Sequence, residues 1–167
     1  MSNENIIFLD FDGVLTSARA SVMDMDTAVT NAMDPIALKM LSMLISDFDC
    51  RIVLTTSWAM YSDYSKDKNK FTDLFRVLGY SKIANSIHKD WRVIEDYNKA
   101  QSLSRNPRSL AIDEWLNCHS PINFIILDDD MIAENEYQLE HIVNTDQMNG
   151  MLFNHYLKAR EILNKND

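Results

Sequence analysis

Short apolar runs alternate along the chain with longer stretches whose apolar positions recur at helical spacing. Ile6–Leu9 is a compact apolar run ending in Asp10, and it predicts a strand buried on both faces. Pro35–Phe48 carries Ile36, Met40, Met43, Leu44 and Phe48 at helical spacing, with Asp34 as cap and Pro35 in the first turn. Ile52–Thr55 predicts the next strand, Phe71–Leu78 a helix closed by Gly79, and Ile83–Asn85 a short strand. Asn106-Pro107 opens a helix that runs to about Asn117. Phe124–Leu127 is a third clear strand, His141–Asn144 an edge strand and Met151–Leu163 a final helix. Strands alternating with helices imply an α/β fold, with a mostly parallel sheet covered on both faces. In such sheets, sites form beyond the carboxyl ends of the strands.

Four groups of polar residues collect at that predicted edge. The first is Asp10-Phe11-Asp12-Gly13, two carboxylates two apart directly after a buried strand. A surface turn would read alike, but a calcium loop requires Glu at its twelfth position, where this chain has Ser21. The second is Thr55-Thr56-Ser57-Trp58, in which a strand ends in three hydroxyls able to donate to phosphoryl oxygens or merely to cap the strand. The third is Asp128-Asp129-Asp130. Three adjacent acids repel one another, and a divalent cation removes the repulsion. The fourth is Arg108, in the first turn of a helix, where the helix dipole disfavours a cation but the acidic cluster favours one.

Composition narrows the chemistry. The 167 residues, 46% hydrophobic and 25% charged, suit one soluble domain with one sizeable core. A net charge of −9 disfavours non-specific binding to nucleic acid or to an anionic membrane. No stretch approaches the roughly 20 apolar residues of a membrane span, and Cys50 and Cys118 read as reduced thiols, so a cytoplasmic location is expected. Gly13, Gly79 and Gly150 are the only glycines, which excludes glycine-rich phosphate cradles. His88, His119, His141 and His155 have no zinc spacing. The chemistry is left to carboxylates.

In this order the four groups resemble the motifs of the haloacid dehalogenase-like (HAD) phosphatase superfamily. The segments "FLDFDGVLTS", "DPIALKMLSMLISDFDCRIVLTTSW", "RSLAIDEWL", "FIILDDD" and "VNTDQMNGML" resemble more closely the HAD domain of Swiss Army Knife RNA repair proteins. There are two departures from that pattern: Ala59 stands where Arg tends to follow the Ser-Trp pair, and Met131 and Ile132 follow the acidic triplet where another Asp is often close behind. Both bear on a polynucleotide substrate and not on phosphoryl chemistry.

The resemblance implies a Rossmann-like three-layer sandwich over residues 1–167 as a single domain. It implies a phosphomonoester hydrolase acting through an aspartyl phosphate, on a nucleotide or a polynucleotide end. Mg²⁺ would be held by the side chain of Asp10, the backbone carbonyl of Asp12 and the side chain of Asp128 or Asp129. Asp10 would be the nucleophile, Asp12 the general acid and base, and Thr56 a phosphoryl donor, with Thr55 and Ser57 as neighbours the sequence does not separate from it. Gly13 would turn the chain. Arg108, seven positions before Trp115, would neutralise charge, with Arg105 and Lys99 in reserve. Trp58 is expected at the mouth of the site, to stack on a nucleobase or to pack as core. Roughly twenty residues between the first motif and Asp34 allow only a minimal cap: a flap over Leu15–Met33 with an apolar Val22/Met23/Met25 edge. The contrasting possibility is a catalytically silent binding or regulatory module on the same fold.

Overall fold

The computed structural model describes residues 4–23, 33–61 and 67–166. The chain begins with β1 (Asn5–Leu9), α1 (Ala18–Met23), α2 (Pro35–Phe48), β2 (Arg51–Leu54) and α3 (Trp58–Tyr61). It continues through α4 (Lys68–Val77), α5 (Ser81–Ser86), β3 (Ile87–Arg92), α6 (Tyr97–Ser102) and α7 (Pro107–His119). It ends with β4 (Asn123–Asp128), α8 (Glu136–His141), β5 (Ile142–Asn144), α9 (Phe153–Leu163) and a terminal turn. The five strands form one all-parallel sheet in the order β3-β2-β1-β4-β5. This is the expected α/β, Rossmann-like sandwich.

Alternation along the strands sorts the core into two layers. Ile7, Leu9, Ile52, Leu54, Ile125, Leu127 and Val143 face one side, against α2, α4, α5 and α9. Ile6, Phe8, Val53, Phe124, Ile126 and Ile142 face the other, against Ala111, Ile112, Trp115 and Leu116 of α7. Because both faces are covered, β1 and β4 read as continuous apolar runs.

Several elements differ from expectation. Ile83–Asn85 lies in α5, and the strand begins only at Ile87. That strand, IHKDWR, is an irregular edge with its middle exposed, so it lacks the apolar run that marks β1 and β4. The buried stripe of α2 is Ala37, Leu38, Leu41, Leu44 and Ile45, which turns Ile36 outward. The helix expected from Phe71 starts at Lys68, capped by Asp67; Lys66, at the head of the charged stretch Lys66–Lys70, lies outside the described residues. His141 ends α8, leaving β5 to start at Ile142.

The excursion after β1 is clipped at its neck. Asp34 N donates to Leu15 O at 2.6 Å, Thr16 bridges to Met33, and Arg19 pairs with the buried Asp34. Of the expected apolar edge of the flap, Val22 is exposed, whereas Met25 and the Met23 side chain lie outside the described residues. Among the described residues, no helix is long and apolar enough to cross a membrane.

Candidate active site

A parallel sheet brings every strand's carboxyl end to one edge, and backbone bonds carry the ladder one residue further there. Asp10 N donates to Leu127 O at 3.0 Å and Thr55 N to Leu9 O at 2.9 Å. On the flanking strands, Val93 N donates to Leu54 O at 3.1 Å and Thr145 N to Asp128 O at 3.0 Å. Asp10, Thr55-Thr56 and Asp128 therefore emerge side by side, next to the first turn of α7.

Asp10 is buried, and its Oδ1 accepts Phe11 N–H at 2.7 Å. Its Oδ2 lies 2.9 Å from Arg108 Nη1, which also reaches Asp128 Oδ2 at 2.7 Å. Arg108 is delivered by a tightly capped helix start: Asn106 Oδ1 accepts both Arg108 N–H and Ser109 N–H, and Pro107 occupies the first turn. Asn144 Nδ2 donates to the carbonyls of Asp128 and Asp129, which fixes the acidic turn after β4.

Burial is the first cause of the site's electrostatics. It pushes the Asp128 carboxyl up to about 7, with Asp10 adding to the rise and Arg108 opposing it. Asp10 is raised for the same reason, against the pull of Arg108, the Phe11 N–H and the Thr56 hydroxyl. Burial alone would lower Arg108, but Asp10, Asp128 and Glu95 outweigh it, so its proton is held more firmly than usual.

Asp10, Asp128 and Asp129 offer carboxylate oxygens that all lie within 4.8 Å of one another. An all-oxygen set of this kind suits a small hard cation. Gly13 makes room for the Asp129 carboxylate of this set: at φ +68° a Cβ there would stand 2.3 Å from Asp129 Oδ2. The Gly13 carbonyl is pinned by Thr145 Oγ1 at 2.7 Å. The Asp12 side chain stands apart from this cluster. It is exposed, and its Oδ2 accepts Trp58 Nε1–H at 3.0 Å while its Oδ1 accepts the Thr16 hydroxyl at 3.2 Å. Asp12, Thr16, Ser21, Gln147 and Met148 border an open cavity of about 300 Å³ beside it.

The three strand-end hydroxyls separate here. Thr56 is buried, bonds toward Asp10 and accepts Trp58 N–H at 3.3 Å. Thr55 is buried with its Oγ1 unpartnered, and Ser57 is half-buried. Trp58 is half-buried, with its ring edge-on to Phe11 at 5.5 Å, so it serves both core and site edge. Arg105 and Lys99 lie outside the cluster: Arg105 is bound to Asp113 and Glu134, and Lys99 to Glu114. The sequence reading missed Glu95, Asn144 and Thr145. Glu95 follows β3, and with that strand misplaced nothing set it at the edge.

The family model described as the HAD domain in Swiss Army Knife RNA repair proteins matches residues 6–155. Comparison with curated proteins and with solved structures gave no match.

Proposed function

The chain belongs to the HAD domain family of Swiss Army Knife RNA repair proteins, and from that premise we propose that it is a Mg²⁺-dependent phosphomonoester hydrolase working through an aspartyl phosphate. The observation that carries this reading is a buried Asp10 flanked by Arg108 and Thr56, with a second, solvent-facing carboxylate two residues on. Membership alone supports a hydrolase of the phosphatase type.

An Asp10 carboxylate oxygen attacks phosphorus in line, forming the P–O bond of the aspartyl phosphate as the ester P–O bond breaks. Asp12, on the solvent side, gives its proton to the departing oxygen. It then takes one from a water molecule whose oxygen attacks the same phosphorus, releasing phosphate and restoring the Asp10 carboxylate. Arg108 and the Thr56 hydroxyl hold the phosphoryl oxygens against charge developing in transfer. The side chains of Asp10, Asp128 and Asp129 and the Asp12 carbonyl would hold Mg²⁺, which supplies further charge neutralisation when bound.

The RNA-repair family favours a nucleic-acid end as substrate. A second reading, a mononucleotide, has one observation in its favour: among the described residues no Lys or Arg lines the cavity bordered by Asp12, and a polynucleotide backbone calls for cations. Hydrolysis of an aryl phosphate with Mg²⁺, abolished by chelator and by Asp10→Asn, tests the reaction class. A panel of mononucleotides and of 3′- and 5′-phosphorylated oligonucleotides separates the two substrates. A folded protein with no turnover on any of them would leave a binding or regulatory module.

A further inference from the structure

Glu95 lies in the loop between β3 and α6, outside the four motif groups. Its side chain is 4% exposed, and Oε1 is buried without a hydrogen-bond partner. A carboxylate is costly to keep in such a place, and packing gives no reason for it. The charge it faces is Arg108, whose Nε lies 3.6 Å from Oε1. That separation exceeds a hydrogen bond, so the attraction is ionic.

Arg108 thus has two differently used edges. Nη1 reaches Asp10 Oδ2 and Asp128 Oδ2. Both carboxylates have other work during phosphoryl transfer, one as nucleophile and one in the cation-binding set. A guanidinium held only by them would lose its partners when its position matters most. Glu95 sits on the Nε edge, outside the cluster of Asp10, Asp128 and Asp129. We propose that Glu95 is a positioning residue: it anchors the Nε edge of Arg108 throughout the reaction, so that the remaining N–H groups are presented to the phosphoryl oxygens. The inference rests on the phosphatase reading of the site.

The test is a double-mutant cycle on the whole protein, with p-nitrophenyl phosphate and Mg²⁺ as assay and inorganic phosphate as competitive inhibitor. Glu95→Gln keeps shape and removes charge. It should lower kcat/KM about 10-fold and weaken phosphate inhibition by a similar factor, whereas in an Arg108→Ala background it should change kcat/KM less than about 2-fold. Glu95→Asp retains the charge and should fall between, which keeps the test open if Glu95→Gln folds poorly. Equal losses in both backgrounds, or a Glu95→Gln protein with wild-type kcat/KM and phosphate inhibition, overturn the inference alone. A folded wild-type protein that turns over neither p-nitrophenyl phosphate nor any phosphorylated mononucleotide or oligonucleotide with Mg²⁺ overturns the phosphatase reading, and this inference with it.

Discussion

Arg105, just before the cap of α7, and Arg108, in its first turn, stand three residues apart, and each gathers acidic partners. Around Arg105 the polar groups meet partners. Its Nη2 donates to Asp113 Oδ2 at 2.8 Å and to Ser109 Oγ at 3.1 Å, and its Nε to Glu134 Oε2 at 3.1 Å. The buried Gln138 ties Asp113 and Ser109 together, and Asn135 adds two bonds to Asp113. Around Arg108 three carboxylates crowd one cation, Asp128 is pushed up to about 7 chiefly by burial, and Glu95 leaves an oxygen unbonded. A polar network that holds a helix in place satisfies its members. One left under-satisfied at a sheet edge keeps donors and charge in reserve for a ligand.

The comparison breaks first at Asp10. Asp10→Asn should reduce turnover of an aryl phosphate by about 10³-fold or more with far-ultraviolet circular dichroism unchanged. A folded variant with substantial activity would remove chemistry from the Arg108 cluster. Next come the two arginines themselves. Arg108→Ala should cost about 10²–10³-fold in kcat/KM. Arg105→Ala should keep turnover per folded molecule within about 3-fold while losing about 1–3 kcal/mol of stability by denaturant unfolding. The reverse pattern would mean that the structural and catalytic assignments are exchanged.

Asp128 sharpens the contrast through pH. Its folded value of about 7 lies above its ordinary 3.8. Between these values the folded protein holds a proton that the unfolded chain has released, so metal-free stability falls as pH rises through that window. Asp128→Asn should therefore raise the melting temperature in chelator at pH 8, have little effect near pH 4, and lower activity at both. A melting temperature lowered at pH 8 would show the carboxylate to be a structural partner of Arg108. The smallest effect belongs to Trp58. Trp58→Phe keeps a ring against Phe11 and deletes the N–H that meets Asp12 Oδ2 at 3.0 Å. A loss of about 1 kcal/mol, roughly 5-fold in kcat, with little change in melting temperature separates that role from packing. An unchanged kcat would return Trp58 to the core.

The legibility of the molecule follows the same division. The sheet-edge positions of Asp10, of the Thr55-Thr56-Ser57 group and of the acidic triplet from Asp128 are readable because they end strands buried on both faces, and an apolar run that stops abruptly at a polar residue marks a sheet edge; which of the three hydroxyls turns toward Asp10 is not. Arg108 was readable because Asn106-Pro107 fixes a helix start and a cation there is out of place. Glu95 was hidden because β3 is a half-exposed edge strand with no apolar run, and Ile83–Asn85, a piece of α5, looked more strand-like. The Trp58–Asp12 bond, the pinning of Gly13 by Thr145 and the bracing of Asp128 and Asp129 by Asn144 join residues distant along the chain. Sequence spacing carries no trace of such pairs. Ile36 misled in α2 because apolar residues exceed the buried stripe there, and the stripe is set by what α5 and α9 cover.

The central claim is that Asp10 carries the phosphoryl group. The most direct measurement is to quench the protein in acid during turnover of an aryl phosphate with Mg²⁺, reduce it with borohydride and map the peptides by mass. Hydride cleavage of an aspartyl phosphate converts the residue to homoserine. The account predicts homoserine at position 10, dependent on substrate and absent in Asp10→Asn. Homoserine at another aspartate, or undiminished turnover with none at position 10, would contradict it.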